Sequence, residues 1–523
     1  MDGIAVIGGG PAGSTIAALL AQRGFEVQLF EATRFPRPHI GESLLPATIE
    51  ALELSGAADK VRSAGFTVKN GATMAWGVNH KLWTWYFRET NKSQPHAYQV
   101  NRDEFDRILL EHARESGAHV REDTRVQRVC FDGDAAVGVE VEGEMHSASY
   151  VIDATGQHSL VANQRNSKTW DDDFRNLAVY RYYHGGSHMS GEASGNILVE
   201  SVTDGWLWKI PLKDDVSSVG VVADRDTAIA AIREQTLDSW FDNVIASSDY
   251  TSTFLTDAQP IGPCSATRDW SYETDQFTGP RHCLIGDAAC FIDPLFSTGV
   301  HLAIYSATIG AALVKTTLDT PNLAPLAAEA FERQYRQHYG HFRELARLFY
   351  GSNRSIDSYF WQTRQITGES EYSPRAAFVR AVSGQASNGY ERTTLFHGAL
   401  PENFTRALSD VELRRQTRKG SLRNLNESSV LRVPDTVEIE NAAIFNGELF
   451  EQGEVVRRRG LDDIPVSRFV ATVISCISSN AITVRELGEA MICEGWSTEI
   501  TEASLNPTLE LLILEGIVEI RQQ

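Results

Sequence analysis

The chain has 523 residues, more than one hydrophobic core commonly supports, and its 42% hydrophobic and 22% charged content is typical of a globular protein and excludes a disordered one. A formal net charge of −21 argues against nucleic acid or an anionic membrane as a partner. The six cysteines form no C-x-x-C pair, which predicts reduced thiols in a cytoplasmic protein. Only three residues precede the first predicted strand, so no signal peptide is expected. No run of about 18 apolar residues occurs, so no membrane span is expected.

The first predicted element is a strand, a glycine turn and a helix that follow one another near the start of the chain. The strand Ile4–Ile7 leads into the turn, and a second strand, Val27–Phe30, ends on Glu31. Glycines at this spacing allow a tight turn, close approach of a pyrophosphate and close packing of the helix, whose N-terminus attracts phosphate. The alternative is an ordinary glycine-rich turn, but the order of elements favours dinucleotide binding. The predicted contact residues are Gly8, Gly10, Pro11, Ala12, Gly13 and Glu31.

Further pieces of the same domain are separated along the chain. Residues 98–126 predict a strand, a helix and another strand, and two buried strands end near Asp153 and Gly286. Between those two strands, residues 172–260 alternate strand-like segments, which we expect to form an antiparallel sheet over a substrate cavity. Residues 301–380 carry apolar residues at helical spacing and are predicted to be helical.

The C-terminal part of the chain differs in composition from the core, which we place at residues 1–383. Residues 384–434 are rich in Ser, Asn, Arg and Gly and are interpreted as a linker or an extended arm. Residues 435–523 predict a mainly helical, winged-helix-like domain, and their acidity argues against DNA binding. The elements predicted there are helices at Arg468–Ser478, Thr483–Cys493 and Glu502–Leu514 and a short strand at Ile517–Ile520.

Three segments, Gly8–Gly13, Asp153–Gly156 and Gly286–Asp287, together resemble the FAD-binding fold of flavoprotein monooxygenases. A fourth segment, Gly205-Trp206-Leu207-Trp208-Lys209-Ile210-Pro211, carries the W-x-W-x-I-P signature of FAD-dependent halogenases and lies between the second and third segments, as it does in that family. The resemblance implies an α/β fold, with a Rossmann-like FAD-binding domain and an antiparallel sheet on the substrate side.

The resemblance also implies roles for residues around the cofactor. In the family, the aspartate of the Gly-Asp segment hydrogen-bonds the ribityl chain, and Asp287 matches it. Arg102 matches an arginine that reaches the phosphates or the ribityl chain. The alternatives are a helix N-cap for Asp287 and a surface salt bridge for Arg102. Trp206, Trp208 and Pro211 are expected to form the wall of a tunnel beside the flavin.

The segment Gly65-Phe66-Thr67-Val68-Lys69 resembles the one that carries the active-site lysine of halogenases, so Lys69 is the candidate catalytic residue. The alternative is a solvated surface lysine. An amine can hydrogen-bond hypohalous acid or trap it as a haloamine, and desolvation that lowers its pKa favours this chemistry. Glu42 also matches the family: it would orient Lys69 or take the proton from the arenium intermediate. Its alternative is to cap the helix that begins near Leu45–Pro46.

The stretch Asp293–Val300 resembles the loop beside the isoalloxazine ring at which halogenases bind halide. Backbone N–H groups at the start of the next helix, together with the hydroxyl of Thr298, can hold chloride or bromide. Thr298 and Gly299 are therefore the predicted halide residues, and Gly299 also borders the cofactor. The alternative is a glycine-containing turn ahead of a helix.

Aromatic residues are dense at Trp76 and across residues 83–87. Core packing is the commoner use of such residues. The alternative is that they stack on an aromatic substrate.

The resemblance implies a flavin-dependent halogenase of the variant natural-product type. In that family FAD, supplied reduced by a separate flavin reductase, forms a C4a-hydroperoxide with oxygen, and chloride or bromide attacks it to give hypohalous acid. The implied substrate is a phenolic or pyrrole ring, free or tethered to a carrier protein. The sequence shows no second G-x-G-x-x-G for NAD(P)H and no metal-ligand spacing, so no metal is expected. The alternatives are a flavin hydroxylase or reductase on the same fold and a non-catalytic flavin-binding protein.

Overall fold

The computed structural model describes residues 3–203, 205–350, 359, 363, 373–384, 425–458, 464–479 and 481–521. Most of the predicted linker, residues 385–424, lies outside the described residues. The chain divides into two compact units, which are described separately. The first comprises Met1–Val314, Glu332–Thr367 and Tyr372–Ala386, and the second comprises Lys315–Phe331, Gly368–Glu371 and Ser387–Gln523.

A six-stranded sheet in the first unit joins the separated pieces that the sequence assigned to one domain. Ile4–Ile7 lies between Tyr150–Asp153 and Val27–Phe30, and it pairs with both in parallel. His282–Leu284 continues the sheet beside Tyr150–Asp153, also in parallel. Parallel strands end at the same edge, so the glycine turn, Asp153 and the Gly-Asp segment come together there. The order of the strands is Thr278–Gly279, His282–Leu284, Tyr150–Asp153, Ile4–Ile7, Val27–Phe30 and His119–Arg121.

The first unit also contains helices, of which the first packs beside this sheet. Pro11–Gln22 follows the glycine turn, begins with proline at its first position, is buried along most of its length and packs against Arg102–Glu115. The other helices that lie within this unit are Pro46–Ser55, Ala58–Ser63, Leu160–Arg165, Arg225–Arg233, Leu237–Ala246, Thr251–Phe254 and Pro374–Val382.

Helices also occupy the described part of the stretch predicted to be helical, residues 301–380. They are Gly299–Asp319, Ala324–Tyr350 and Pro374–Val382. Most of residues 351–372 lie outside the described part of the chain. None of the described helices is both long and apolar enough to cross a membrane.

A large eight-stranded sheet forms the second layer of this unit and is wider than the predicted range of residues 172–260. It is antiparallel except where Ile197–Val202 pairs in parallel with Gly71–Ala75. The order of its strands is Cys290–Phe291, Gln259–Thr274, Lys168–His184, Val216–Asp224, Gly205–Pro211, Ile197–Val202, Gly71–Ala75 and Leu82–Tyr86.

One face of the large sheet is continuous across four neighbouring strands. Trp208 is paired with Val199, Val199 with Met74, and Met74 with Trp83. Paired residues on neighbouring strands point to the same side of a sheet. The side chains of this row therefore share one face, and Trp85, two residues after Trp83, shares it as well.

Two small sheets complete the first unit. Thr67–Lys69 pairs with Ala97–Gln99, and this pairing fixes the position of Lys69 opposite Ala97. The other small sheet contains Val126–Asp132, Ala135–Val141 and Glu144–Ser147.

Toward the C-terminus, the described residues of the second unit form three helices close to the predicted ones, and the winged-helix-like arrangement stays a prediction. These three helices enclose an apolar core that includes Leu487, Met491 and Leu509. An antiparallel sheet of Val437–Phe445, Phe450–Arg458 and Ile464–Val466 stands beside them and was not predicted. The interrupted alternation of apolar and polar residues in these strands explains the omission. The remaining elements are Arg468–Ser479, Val484–Cys493 and Thr498–Glu515 as helices and Val430–Arg432, Ile482–Thr483 and Glu519–Ile520 as strands.

Candidate active site

The glycine turn has the tight geometry that its sequence predicts. Gly8 has a φ of +104°, and a Cβ on Gly13 would lie 1.9 Å from the carbonyl oxygen of Gly8. The backbone N–H of Gly9 donates a hydrogen bond of 2.7 Å to Glu31, and Thr33 donates two more to the same carboxylate. Glu31 therefore closes the turn while it also lines the cavity described next.

A cavity of about 530 Å³ runs from the glycine turn to the large sheet. Its size falls within the range of cofactor and ligand sites, roughly 300–1,000 Å³. It combines the backbone N–H groups of the glycine turn at one end with the carboxylate of Asp287 and the indoles of Trp206 and Trp208 farther along. These donors, acceptor and flat apolar surfaces suit a flavin dinucleotide. The predicted residues that line this large cavity are Gly8, Gly10, Pro11, Ala12, Glu31, Glu42, Arg102, Asp287, Trp206, Trp208, Thr298 and Gly299.

Arg102 is buried and Asp287 is half-buried, and both line the wall of the large cavity. Arg102 is 5% exposed, donates to both carboxylate oxygens of Asp106 at 2.7 and 2.9 Å, and donates to the carbonyl of Ile40 at 2.6 Å. Asp287 lies inside a short 3₁₀ turn whose N-cap is Ile285. The alternatives of a surface salt bridge for Arg102 and a helix N-cap for Asp287 are therefore wrong. Burial raises the pKa of Asp287 to about 7.

Two basic side chains beside the glycine turn were missed by the sequence reasoning. Arg37 lines the large cavity, and its guanidinium lies 3.5 Å from the position that a Cβ on Gly10 would take. His39 also lines the cavity, and the positive charge of Arg102 together with burial lowers its pKa to about 4. Their only signal in the sequence is the basic pair around Pro38, which carries no specific spacing. Arg37 lies beside the turn at which a cofactor phosphate would enter, whereas His39 is uncharged near neutral pH.

The two indoles of the strand Gly205–Pro211 face the large cavity. Trp206 and Trp208 alternate along the strand with a distance of 5.9 Å between ring centroids. The Nε1–H of Trp206 donates to the hydroxyl of Tyr350, and the Nε1–H of Trp208 donates to Ser218 at 3.1 Å. Each indole is thus held at its polar edge.

The third predicted wall residue, Pro211, is not on this wall. The cavity is lined by Ile210, which follows Trp206 and Trp208 at the same two-residue interval. Successive side chains of a strand point to opposite faces, so Pro211 faces away from the indoles. The prediction followed the linear motif and did not apply the alternation.

Lys69 is one of the most deeply buried side chains of the chain, at 1% exposure. Its Nζ donates to Ser43 Oγ at 2.8 Å and to the carbonyl of Leu44 at 2.9 Å, and it lies 5.5 Å from the centroid of the Phe87 ring. The alternative of a solvated surface lysine is therefore wrong. Burial lowers the pKa of Lys69 to about 7, so a large fraction of the amine is neutral near neutral pH.

Lys69 lines a second, smaller pocket, called here the Lys69 pocket. Its volume is about 10 Å³, room for about one water molecule. Ile197 and Ser297 line both this pocket and the large cavity. The two spaces therefore adjoin at these side chains. The Lys69 pocket is otherwise lined by Leu45, Ala72, Met74, Trp85, Phe87, Val199, Leu295, Phe296 and Val382.

Glu42 lines the large cavity. Its contacts contradict two of the predicted roles, which are to orient Lys69 directly and to cap the next helix. Its carboxylate accepts from the hydroxyl of Tyr182 at 2.8 Å and from Ser218 at 3.2 Å, whereas the amine of Lys69 bonds Ser43 and Leu44. The N-cap of the helix Pro46–Ser55 is Leu45 and receives no side-chain hydrogen bond. Glu42 therefore does not cap that helix and does not orient Lys69 by direct contact. Burial raises the pKa of Glu42, while the two hydroxyl donors counteract part of that rise.

The predicted halide loop ends in an unsatisfied hydroxyl. The side chain of Thr298 is 1% exposed, and its Oγ1 has no hydrogen-bond partner among the described residues. Gly299 begins the helix Gly299–Asp319, whose positive dipole end favours an anion. A Cβ on Gly299 would meet open space, so the backbone there is accessible from the cavity.

Asp293, at the start of this loop, is held by residues distant in the chain. Its Oδ2 accepts from Tyr350 at 2.6 Å and from Asn176 at 3.1 Å, and its Oδ1 accepts from the N–H of Leu295 at 3.0 Å. Tyr350 also receives the hydrogen bond of Trp206. The halide loop and the indole wall therefore share one polar anchor.

The fold also brings together His80, Glu200 and Asp249, whose ligand atoms lie within 4.8 Å of one another. The carboxylate of Glu200 accepts from the backbone N–H groups of Asp249 and Thr251, and His80 contacts Asp249. These contacts hold a loop to the start of a short helix. The expectation of no metal stays a prediction.

A sequence family described as tryptophan halogenase matches residues 3–95 and 86–411. A protein of Chondromyces crocatus named tryptophan 2-halogenase is 34% identical over 401 residues, 74% of this chain and 76% of that protein. A 1H-pyrrole-2-carbonyl-[peptidyl-carrier protein] chlorinase of Pseudomonas fluorescens is 29% identical over 379 residues, 67% of this chain and 84% of that protein.

Solved structures show the same relationship. The myxobacterial chondrochloren halogenase, described as a new variant of FAD-dependent halogenases, is 37% identical with a TM-score of 0.64 and covers 76% of this chain and 93% of its own. CmlS, a flavin-dependent halogenase, is 27% identical with a TM-score of 0.69 and covers 99% of this chain and 96% of its own.

Proposed function

The chain belongs to the tryptophan halogenase family of flavin-dependent halogenases, and on this premise we propose that it converts chloride or bromide to hypohalous acid and delivers the halogen through Lys69 to an aromatic ring. It is an enzyme of the oxidoreductase class. The observation that carries the proposal is a buried lysine with a pKa lowered to about 7, in a pocket that adjoins the large cavity at Ile197 and Ser297.

The large cavity supports the placement of FAD. The glycine turn and Arg37 would hold the pyrophosphate, Glu31 a ribose, and Asp287 with Arg102 the ribityl chain. Bound reduced FAD supplies the electrons with which oxygen is activated for halide oxidation. Supply of reduced FAD by a separate flavin reductase is part of the proposal, because the sequence carries one dinucleotide motif.

Residues of the large cavity near the junction would hold the halide and control which molecules reach Lys69. Thr298 and the N-terminus of the helix Gly299–Asp319 would hold the halide, with the unpartnered Oγ1 of Thr298 as a donor. The indoles of Trp206 and Trp208 exclude the substrate ring from the large cavity, so that only a small species passes to Lys69. This division separates a halogenase from a hydroxylase, in which substrate and flavin must meet.

Lys69 then transfers the halogen. Its amine either hydrogen-bonds hypohalous acid or reacts with it, forming an N–halogen bond, breaking the O–halogen bond and releasing water. In both cases the electrophilic halogen faces one carbon of the ring, and hydrogen bonds to Ser43 and Leu44 fix the position of the amine. Glu42 is proposed as the proton acceptor. Its carboxylate borders the large cavity and not the Lys69 pocket, so the proton must travel between the two spaces.

The proposed substrate is a phenolic or pyrrole ring, either free or tethered to a carrier protein. The Pseudomonas fluorescens relative acts, by its name, on a pyrrole group carried by a peptidyl carrier protein. The mostly apolar lining of the Lys69 pocket suits a flat aromatic ring.

The test mixes the protein with chemically reduced FAD, oxygen and bromide, and then with phenols and pyrroles, both free and carrier-loaded. Mass spectrometry of the products should show a bromine isotope pattern. A hydroxylated product would favour a flavin hydroxylase, and no product with any ring would favour a non-catalytic flavin protein. The Lys69→Met variant separates these activities, because a hydroxylase would keep its activity without the amine.

A further inference from the structure

Trp85 is a buried indole of the Lys69 pocket whose polar atom has no partner. It lies on the edge strand Leu82–Tyr86 of the large sheet and is 3% exposed. Its Nε1–H finds no acceptor among the residues that the structure describes. The two indoles on the same sheet face that border the large cavity are satisfied, by Tyr350 for Trp206 and by Ser218 for Trp208. The chain thus satisfies both indoles of the wall and leaves unpaired the one beside Lys69.

An unpaired buried donor carries a free-energy cost, commonly about 1–3 kcal/mol, and is uncommon in folded proteins. The surroundings of Trp85 offer no remedy. The pocket is lined by apolar side chains apart from Lys69 and Ser297, and the amine of Lys69 is already directed at Ser43 and Leu44. The described residues of the pocket thus leave this donor open to an acceptor on a bound ring.

We propose that the Nε1–H of Trp85 donates a hydrogen bond to an oxygen of the substrate, carried directly on the aromatic ring as a phenolic oxygen or attached to it as a carbonyl. This inference rests on the proposed function. A ring held at its oxygen by Trp85 presents a fixed carbon to the amine of Lys69. Trp85 is thus the residue that selects rings with an acceptor oxygen and sets the position that is halogenated.

The size of the pocket adds a second consequence. Without a ligand it has a volume of about 10 Å³, so a ring enters only when lining side chains move apart. The side chain of Val382, on the helix Pro374–Val382, forms part of this lining. A substrate that satisfies the indole recovers free energy that offsets the cost of opening, whereas a ring without an acceptor does not. Sites with an unmet hydrogen-bond donor discriminate strongly against analogues that lack the matching group.

The experiment compares the wild type with Trp85→Phe, which removes the N–H and keeps an aromatic ring. Two pairs of probes are used: pyrrole-2-carboxamide against pyrrole for a carbonyl oxygen, and phenol against N,N-dimethylaniline for a phenolic oxygen. For one pair, we expect kcat/KM of the ring with the acceptor oxygen, divided by kcat/KM of its partner ring, to fall about 10-fold or more in the variant. The pair that responds identifies the type of oxygen, and comparing each ratio between the two proteins cancels the intrinsic reactivity of the rings.

Trp240→Phe provides the matched control, because Trp240 is a buried tryptophan in the apolar cluster with Phe241 and Ile245, away from both cavities. It should leave both ratios unchanged. Equal losses for both members of each pair in Trp85→Phe would mean that the indole acts only by packing, and no change in any ratio would mean that its N–H meets no substrate. Either result overturns the inference.

A measurement without turnover keeps this inference separate from the proposed function. Hypohalous acid is followed with a soluble trapping reagent, and binding of pyrrole-2-carboxamide and phenol is followed by calorimetry in both proteins. If the wild type forms no hypohalous acid, the proposed function fails, and weaker binding of an oxygen-bearing ring to Trp85→Phe still supports the role of the indole. If hypohalous acid forms equally in both proteins and binding and both ratios are unchanged, only the role of Trp85 fails.

Discussion

Ile197 and Ser297 each line both the large cavity and the Lys69 pocket, so these two side chains stand at the junction between the proposed sites of halide oxidation and halogen transfer. Ile197 comes from the large sheet and is 4% exposed, and Ser297 comes from the halide loop and has a φ of +60°. The proposed passage between the two sites is therefore bordered by one residue of a strand and one residue of a loop.

Enlarging Ile197 to phenylalanine should block this passage. We expect halide oxidation to continue while halogenation of the ring falls at least 10-fold, with more hypohalous acid escaping to a soluble trap. An overpacked core position also costs roughly 1–3 kcal/mol of stability, so the assay is run below the unfolding transition. Ile197→Val does not narrow the junction. It should keep the wild-type ratio of halogenated ring to escaped hypohalous acid. The same ratio in Ile197→Phe as in the wild type would contradict a passage at this junction.

Lys69→Met should abolish transfer, with a loss of at least 100-fold, because methionine fills the volume without an amine. Oxidation of reduced FAD should continue, as measured by absorbance, since Lys69 does not line the large cavity. Lys69→Arg should also fail, because a guanidinium stays protonated at neutral pH. Full halogenation by either variant would assign the transfer to another group.

Burial of Lys69 should make stability depend on pH. Its pKa is about 7 in the folded protein and near 10.5 when unfolded, so between these values the unfolded chain binds more protons. The free energy of unfolding should therefore rise with pH in this window, by up to about 1.4 kcal/mol per pH unit from this group. The check is denaturant unfolding of the wild type and Lys69→Met from pH 6.5 to 9.5. The difference in stability between them should shift in favour of the wild type as the pH rises; a constant difference would argue against a neutral buried amine.

Removing the hydroxyl of Tyr182 should raise the pKa of Glu42, because that hydrogen bond favours the ionised carboxylate. If Glu42 accepts a proton during turnover, the acidic limb of the pH–rate profile moves to higher pH in Tyr182→Phe. Tyr183→Phe serves as the control, since the Tyr183 hydroxyl accepts its hydrogen bonds from Arg181. An unmoved limb would remove Glu42 from the proposed proton path.

Thr298→Val should raise the KM for bromide by about 10-fold, the usual effect of losing one hydrogen bond to a charged group. The binding of FAD, measured by flavin fluorescence, should stay as in the wild type. Thr298→Ser should keep the low KM because it retains the hydroxyl. The unfolding midpoint of Thr298→Val should not fall, because the hydroxyl has no partner to lose among the described residues. A normal KM for bromide would place the halide elsewhere.

Local patterns in the sequence predicted the parts of the fold that local geometry decides. The glycine turn, the strand that follows it and Glu31 have fixed spacing, so their arrangement follows from the backbone. Lys69 is different, because a lysine is normally exposed and its burial depends on packing from segments far along the chain. Only the resemblance to halogenases directed attention to it.

The contacts missed by the sequence reasoning join distant residues. Tyr182 bonds Glu42 across 140 positions, and Tyr350 bonds Trp206 across 144. A hydroxyl in a strand or at the end of a helix carries no sign of such a partner in the sequence. The misplacement of Pro211 had another cause, since the alternation of a strand was sufficient to place it on the opposite face.

The face shared by Trp208, Val199, Met74 and Trp83 has a consequence for how this enzyme can be changed. Its central strands border the large cavity, the proposed site of halide oxidation, whereas the pair Gly71–Ala75 and Leu82–Tyr86 at one edge supplies Ala72, Met74 and Trp85 to the Lys69 pocket. Substitutions on those two outer strands can therefore redesign ring selectivity while the machinery that generates the oxidant stays intact.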